Sequence, residues 1–279
     1  MCIVFVCTSS PRYSLVVASN RDEFLGRPTA ALAWQDGARE PFVAGRDLSA
    51  GGTWLGITRS GRWGVLTNFT EPASAAGTTV RSRGELVSDW LASDASVAAH
   101  ATGVRPGEYA GFSVLLGDAA APETPATVWY VSNRAVKPSH RVEAETFGLS
   151  NSTLLEPWPK VEAGRAAFSR ALEGAEGEEA LIDGCWKVLS PAEPTPLDRT
   201  SMRSSISIPP TRLPSKDLTK GGDEWYGTRV STVLLVRRAS SELEAPTARI
   251  VERDIWMLNE QGEPVRGTEK REEEWTIRR

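Results

Sequence analysis

Cys2 directly follows the initiator methionine, and this placement is the most pointed chemical feature of the sequence. Removal of Met1 would leave Cys2 with a free α-amine, whose pKa of about 7.7–8.0 makes it a base at neutral pH beside its own thiol. Nucleophile and base would then share one residue. Taken alone, Cys2 also reads as a small strand residue. A second cluster, Asn20-Arg21-Asp22-Glu23-Phe24, falls just past the strand that pairs with the first. A carboxylate there can hold an ammonium group in place, and an arginine favours a thiolate. In isolation the same cluster reads as a turn whose charges solvate a strand end. Cys7 lies five residues from Cys2, so on one strand the two point to opposite faces; Cys7 and Cys185 read as core.

Residues 2–8 and 13–19 are apolar, β-branched runs separated by Ser9-Ser10-Pro11-Arg12, which predicts a hairpin. Residues 53–58 and 62–68, joined by Arg59-Ser60-Gly61, predict another. The polar, glycine-containing stretches 20–28 and 45–52 are expected to be site loops rather than strand interiors. Ser82-x-x-Glu85 matches a capping box and predicts a helix over about 83–91, extending toward His100. Strands are expected over 111–117 and 127–132, and helices over 160–172 and 178–189. Residues 190–222, rich in Pro, Ser and Thr, form the longest expected irregular segment, a candidate lid. Strands return over 228–237 and 248–256, with a charged stretch near Trp275. Strands segregated from helices predict a layered α+β fold, and neither a repeat nor a linker divides the chain into two domains.

The 279 residues carry 32 Lys+Arg against 36 Asp+Glu, a net charge of −4, with 40% hydrophobic and 24% charged residues. This balance excludes a disordered, collagenous or coiled-coil chain and disfavours nucleic acid as a partner. Three cysteines without a C-x-x-C pair suit a reducing compartment, with the cytosol as the expected location. The short apolar start lacks a basic n-region, and nowhere do 18 apolar residues run together. Two histidines, His100 and His140, argue against a multi-histidine metal site and read as surface residues. The glycines at 45, 51 and 52 match no phosphate-binding motif. Tryptophan, with ten residues, outnumbers phenylalanine and tyrosine. Trp34, Trp54, Trp63, Trp158 and Trp256 are expected between layers, a minority of them lining a pocket. Asn20, Arg21, Arg46 and Trp54 are candidate pocket residues, although Arg46-Asp47 reads first as a loop ion pair.

Further along stand Phe42-Val43-Ala44-Gly45-Arg46-Asp47, Gly51-Gly52-Thr53-Trp54-Leu55-Gly56, Leu66-Thr67-Asn68, Ser82-Arg83-Gly84-Glu85-Leu86, Leu149-Ser150-Asn151-Ser152, Pro157-Trp158-Pro159-Lys160-Val161 and Tyr226-Gly227-Thr228-Arg229. With the Met1-Cys2-Ile3 start and the Asn-Arg-Asp-Glu tetrad, their order and spacing resemble the NRDE family, the transport and Golgi organisation protein 2 family, across essentially the whole chain. The resemblance implies a four-layer αββα sandwich like that of N-terminal-nucleophile (Ntn) hydrolases. It is most similar to the branch of choloylglycine hydrolases and penicillin V acylases. By that resemblance Cys2 matches the nucleophile, Asp22 the partner of the α-amine, Asn68 the oxyanion-type Asn, Asn151 the second Asn and Arg229 the late Arg. The hydrolases have Gly-Arg-Asn-x-Asp at the second strand end, and this alignment puts Ser19 where their Arg stands, with Arg21 at the unspecified position.

Two functions follow from the resemblance. The first is haem or acyl-lipid handling, an intracellular haem chaperone or trafficking factor on an Ntn scaffold, with haem or an acyl group as cargo and no cofactor required. The alternative is a cysteine Ntn hydrolase that cleaves an amide or thioester. The family resemblance adds mitochondrial or Golgi/ER association and peripheral contact with membranes to the expected locations. The absence of C-x-x-C-H and the scarcity of histidine imply that any haem contact is weak and transferable.

Overall fold

Alternation along the first strand sets the layers. The computed structural model describes residues 2–70, 81–119, 126–190, 198, 200–215, 221–239 and 244–278. In β1 (Ile3–Cys7), Val4 and Val6 enter one buried cluster while Ile3, Phe5 and Cys7 enter another. A strand buried on both faces lies inside a stack, and the two clusters are the two interlayer cores.

β1 pairs with β2 (Tyr13–Phe24) and with β10 (Thr146–Leu149). The first sheet continues from β2 through β12 (Asp223–Arg237) and β13 (Thr247–Asp254) to β16 (Lys270–Thr276), and β11 (Thr211–Pro214) pairs with the start of β12. The second sheet runs in sequence order through β3 (Thr29–Gln35), β4 (Phe42–Asp47), β5 (Leu55–Thr58), β6 (Arg62–Asn68), β7 (Phe112–Asp118), β8 (Val128–Ser132) and β9 (Ser139–Arg141). A separate hairpin joins β14 (Trp256–Leu258) to β15 (Pro264–Arg266).

The sheets face each other across Val4, Val17, Val43, Ile57, Trp63, Leu115 and Leu234. Outside the first sheet pack α3 (Pro159–Gly174) and α4 (Glu178–Leu189), through Phe168, Leu181 and Trp186. Outside the second pack α1 (Glu85–Ala92) and α2 (Val97–Gly103), through Leu86, Val87, Trp90 and Ala101. This is the αββα order that the family resemblance implies. Among the described residues no helix is long and apolar enough to cross a membrane.

Three expectations are corrected. β2 does not stop at residue 19 but carries the Asn-Arg-Asp-Glu tetrad inside the sheet, because buried partners satisfy its polar groups. The stretch 45–52 is likewise strand up to Asp47, followed by a turn in which Gly51 takes φ +80°. The helix expected toward His100 breaks at residue 93, and a second begins at Val97 with the Ser96 hydroxyl accepting the Ala99 N–H at 3.3 Å. Half of the capping box is present: the Glu85 carboxylate accepts the Ser82 N–H at 3.1 Å.

Of the segment 190–222, residues 191–197, 199 and 216–220 lie outside the described residues. The remainder is pinned down. Met202, Ile208 and Leu213 are buried with Phe24 and Tyr226, and Ile208 and Thr228 exchange two hydrogen bonds.

Candidate functional site

A cleft of about 370 Å³ opens where the ends of the two sheets meet. Cys2, Arg21, Asp22, Glu23 and Arg27 line it from the first sheet's side, and Thr53, Trp54, Asn68 and Arg83 from the second. Cys2 follows the parity of Val4 and Val6, toward the second sheet. Its thiol lies 3.8 Å from the Asp22 carbonyl oxygen, and the Ser150 hydroxyl donates to the Cys2 carbonyl at 2.7 Å. Cys7 and Cys185 are buried under the helices, and burial alone pushes the Cys185 thiol up to about 12.

The tetrad divides by alternation. Asn20 points to the helix side, where its amide donates to the carbonyls of Leu189 at 2.9 Å and Ile206 at 3.1 Å and accepts from the Ser231 hydroxyl at 2.6 Å. It therefore lies behind the cleft and does not line it. Asp22 pairs across the ladder with Thr228, whose hydroxyl donates to its carboxylate at 2.6 Å; the Tyr226 hydroxyl donates to its carbonyl at 3.1 Å. Burial raises the Asp22 pKa, against the pull of Lys160 and the Thr228 hydrogen bond.

Arg21 takes the opposite face and lines the cleft with Cys2. Its guanidinium lies 4.2 Å from the Trp54 ring centroid and donates to Thr29 Oγ1 at 3.3 Å, although the residue is only 6% exposed. The departure at Ser19 has a geometric answer. Residues 19 and 21 share a face, so Arg21 reaches the cleft two residues nearer the strand end, while Ser19 donates to the Ile3 carbonyl at 3.1 Å.

Arg229 occupies a bulge, where the register of β12 against β2 shifts between Thr228 and Val230. Its guanidinium donates to the Arg27 carbonyl and, at 3.1 Å, to the same Thr29 hydroxyl that Arg21 uses. Burial and then the neighbouring Arg21 lower the Arg229 pKa to about 10. Burial also lowers that of Arg21, against the pull of Glu23, Cys2 and Asp47. Arg229 thus stands behind the cleft wall, and no carboxylate pairs directly with either guanidinium among the described residues.

Asn68 ends β6 and lines the cleft. Asn151 does not; its side chain donates to the Asn68 carbonyl and its own carbonyl accepts the Thr70 N–H at 3.1 Å, which fixes the strand end. Trp54 forms part of the wall because Gly45 leaves it room: a Cβ at residue 45 would lie 2.4 Å from the indole ring. Arg46 is exposed, donates to the Gly51 carbonyl at 3.2 Å and is not part of the cleft; the loop ion pair is made instead by Arg27 and Asp47 at 2.8 Å. Gly52 and Gly84 touch through their backbones, and a Cβ at Gly52 would lie 2.4 Å from the Gly84 carbonyl carbon. That contact seats the start of α1 on the cleft floor.

Lys160 was not foreseen. It is 1% exposed in the first turn of α3, where both burial and the positive end of the helix disfavour an ammonium. Burial lowers its pKa, and Asp22 and Cys2 pull the other way, which places it electrostatically beside both. The proline at the helix start marks where α3 begins, but no local signal marks the lysine beside it as buried. Among the described residues, no group of three or more His, Cys, Asp or Glu side chains is arranged to hold a metal ion.

The chain is 12% identical, with a TM-score of 0.49, to the Caenorhabditis elegans ortholog of N-acylethanolamine-hydrolyzing acid amidase, over 83% of this chain and 92% of that one. Against penicillin V acylase from Agrobacterium tumefaciens the identity is 12% and the TM-score 0.47, over 91% and 92%. In sequence it is 34% identical over 252 residues to the Bos taurus transport and Golgi organization protein 2 homolog, and 31% identical over 265 residues to the Mus musculus homolog. Each alignment covers 85% of this chain and 88% of the relative. The family model described as Transport and Golgi organisation 2 matches residues 1–255. A match of that extent makes this chain a member of the Transport and Golgi organisation 2 family.

Proposed function

We propose that the cleft receives an amphipathic acyl compound with an anionic group, and that Cys2 attacks its amide or thioester carbonyl. The observation that carries this reading is the position of Cys2: a partly exposed thiol on the cleft wall, 3.8 Å from the Asp22 carbonyl, with the buried Asp22 and Lys160 behind it. After loss of Met1, the α-amine takes the thiol proton as Sγ bonds to the carbonyl carbon. Asp22 holds that amine. Asn68, with a backbone amide, donates to the oxyanion; the intermediate collapses as the leaving nitrogen or sulfur takes the proton back, and water then cleaves the acyl-thioester. Arg21, stacked on Trp54, and Arg229 behind it form a positive wall for a carboxylate or phosphate on the ligand.

A second reading keeps the ligand and drops the reaction. The Arg21–Trp54 pair offers a flat apolar ring beside a guanidinium, a platform that suits a planar carboxylate-bearing cargo such as haem, or an acyl chain in transit.

One experiment separates the two. Turnover of acyl-amide and acyl-thioester substrates is measured beside an absorbance titration with haem, on the wild type and on Cys2→Ala. The hydrolase reading expects turnover that is lost in Cys2→Ala, and a loss of about 2.7–4 kcal/mol of transition-state stabilisation in Asn68→Ala. Saturable haem binding that survives Cys2→Ala, without turnover in the wild type, replaces it by the carrier. Absence of both signals overturns both.

A further inference from the structure

A second cavity, of about 450 Å³, lies on the helix side of the first sheet and shares no lining residue with the Cys2 cleft. Its walls come from the end of α4, the end of β13 and the segment following β15. Arg253 follows the parity of Val251, toward the helices. Its guanidinium lies 4.5 Å from the Trp186 ring centroid, and Nη2 donates to the Trp186 carbonyl at 3.3 Å and the Ser190 hydroxyl at 3.0 Å. Those bonds cap the end of α4 and use one nitrogen. Its Nε is buried and donates to nothing among the described residues.

Arg266 on β15, an exposed residue, also lines the cavity, with its guanidinium 4.0 Å from the Trp256 ring centroid. Among the described residues no carboxylate lies within ion-pairing distance of either arginine. Of the acidic groups around the cavity, Asp254 is held by both terminal nitrogens of Arg271 at 2.9 Å, Asp183 pulls electrostatically on Arg253 without pairing with it, and Glu269 also lines the cavity. Lys270 lines it as well and pairs with Glu272 at 3.5 Å. Burial, followed by the like charge of Arg266, lowers the Arg253 pKa.

We propose that this cavity is a binding site for a phosphate-bearing small molecule, gripped between Arg253 and Arg266. A carboxylate is satisfied by one planar fork, whereas two guanidinium groups arriving from different elements suit an anion with oxygens in several directions. Ser207 and Thr268 line the same cavity. The volume exceeds that of a bare phosphate, and Trp186 supplies an apolar wall for the rest of the ligand. A buried donor without an acceptor is unfavourable, and an oxygen on the ligand would satisfy it.

Titration calorimetry of the full chain with inorganic pyrophosphate at low ionic strength reads the site. Saturable binding is expected, weakened at least tenfold in Arg253→Gln and at least threefold in Arg266→Gln, and unchanged in Arg105→Gln, an exposed arginine that lines neither cavity. Arg266 takes no part in capping α4, so its variant reads the site even if Arg253→Gln does not fold. A parallel arm measures sedimentation with phosphatidic acid vesicles against phosphatidylcholine vesicles. Arginine-dependent capture by the acidic vesicles alone assigns the phosphate to a lipid headgroup, and a response to pyrophosphate assigns it to a soluble ester. No binding in either arm, or binding indifferent to both arginine substitutions, overturns the proposal.

Discussion

β2 is one strand with two chemistries. From Tyr13 to Ala18 it buries mainly apolar side chains between the layers; from Ser19 to Phe24 it buries an amide, a guanidinium and a carboxylate almost as completely. The first half stabilises the fold at roughly 25 cal/mol per Å² of apolar surface removed from water. The second half costs free energy unless each polar group finds a partner. Its partners, Leu189, Ile206, Thr228 and Ser231, lie more than 160 residues further along the chain. The site half is therefore assembled only when β12 and the segment after α4 have come together on β2, and its conformation is tied to the stability that the other half supplies.

The contrast can be broken from either end. The largest effect is expected from Leu15→Ala in the apolar half, a loss of about 2–5 kcal/mol in urea denaturation, with Cys2 alkylation by iodoacetamide unaltered below the transition. Parallel loss of alkylation under fully folded conditions would show that the halves are not separable. In the polar half, Thr228→Val keeps the side chain's shape but removes the hydroxyl that donates to Asp22 and accepts from the Ile208 N–H. A cost of about 1–3 kcal/mol is expected. Unlike Leu15→Ala, this substitution should also depress any turnover at Cys2, because it frees the Asp22 carboxylate.

The smallest effect sharpens the comparison on a neighbouring strand. Glu252 is buried between the sheets, where it accepts the Leu32 N–H at 3.0 Å, and burial raises its pKa. A carboxyl raised in the folded state contributes its full stability below its ordinary pKa, near 4.5, and loses it as pH rises through the raised value. Glu252→Gln keeps the acceptor and removes the charge, so its melting temperature should exceed that of the wild type at pH 7, the gap closing toward pH 4. A constant gap across that range would mean that hydrogen-bond geometry, rather than ionisation, sets the difference.

Where local pattern and tertiary context agree, the sequence was legible. α4 falls at residues 178–189 and β6 at 62–68, as their periodicity predicts. The opposite facing of Cys2 and Cys7 also followed from alternation, whereas the αββα order came from the family resemblance, the pattern of strands and helices having given only a layered α+β fold. The end of β2 was not legible, because polarity argues for a loop unless distant partners are known. β3 was missed for a related reason: it is an edge strand with mixed exposure and no clean alternation. Resemblance placed Asn151 and Arg229 among the cleft residues, but the structure sets both one step behind, holding Asn68 and Arg27. Arg21, by contrast, reaches the cleft from a position the alignment left unspecified, since a strand repeats its facing every two residues.

The short turn after β10 carries a wider consequence. Ser150 donates to Cys2 in the first sheet while its own carbonyl accepts from Thr67 in the second, and the Ser152 carbonyl accepts from Ser113 at 3.0 Å. These three bonds rivet the sheets together at the end where the cleft opens. The width of the mouth is therefore set by the spacing of the two sheets, a dimension that these hydrogen bonds fix before any ligand arrives.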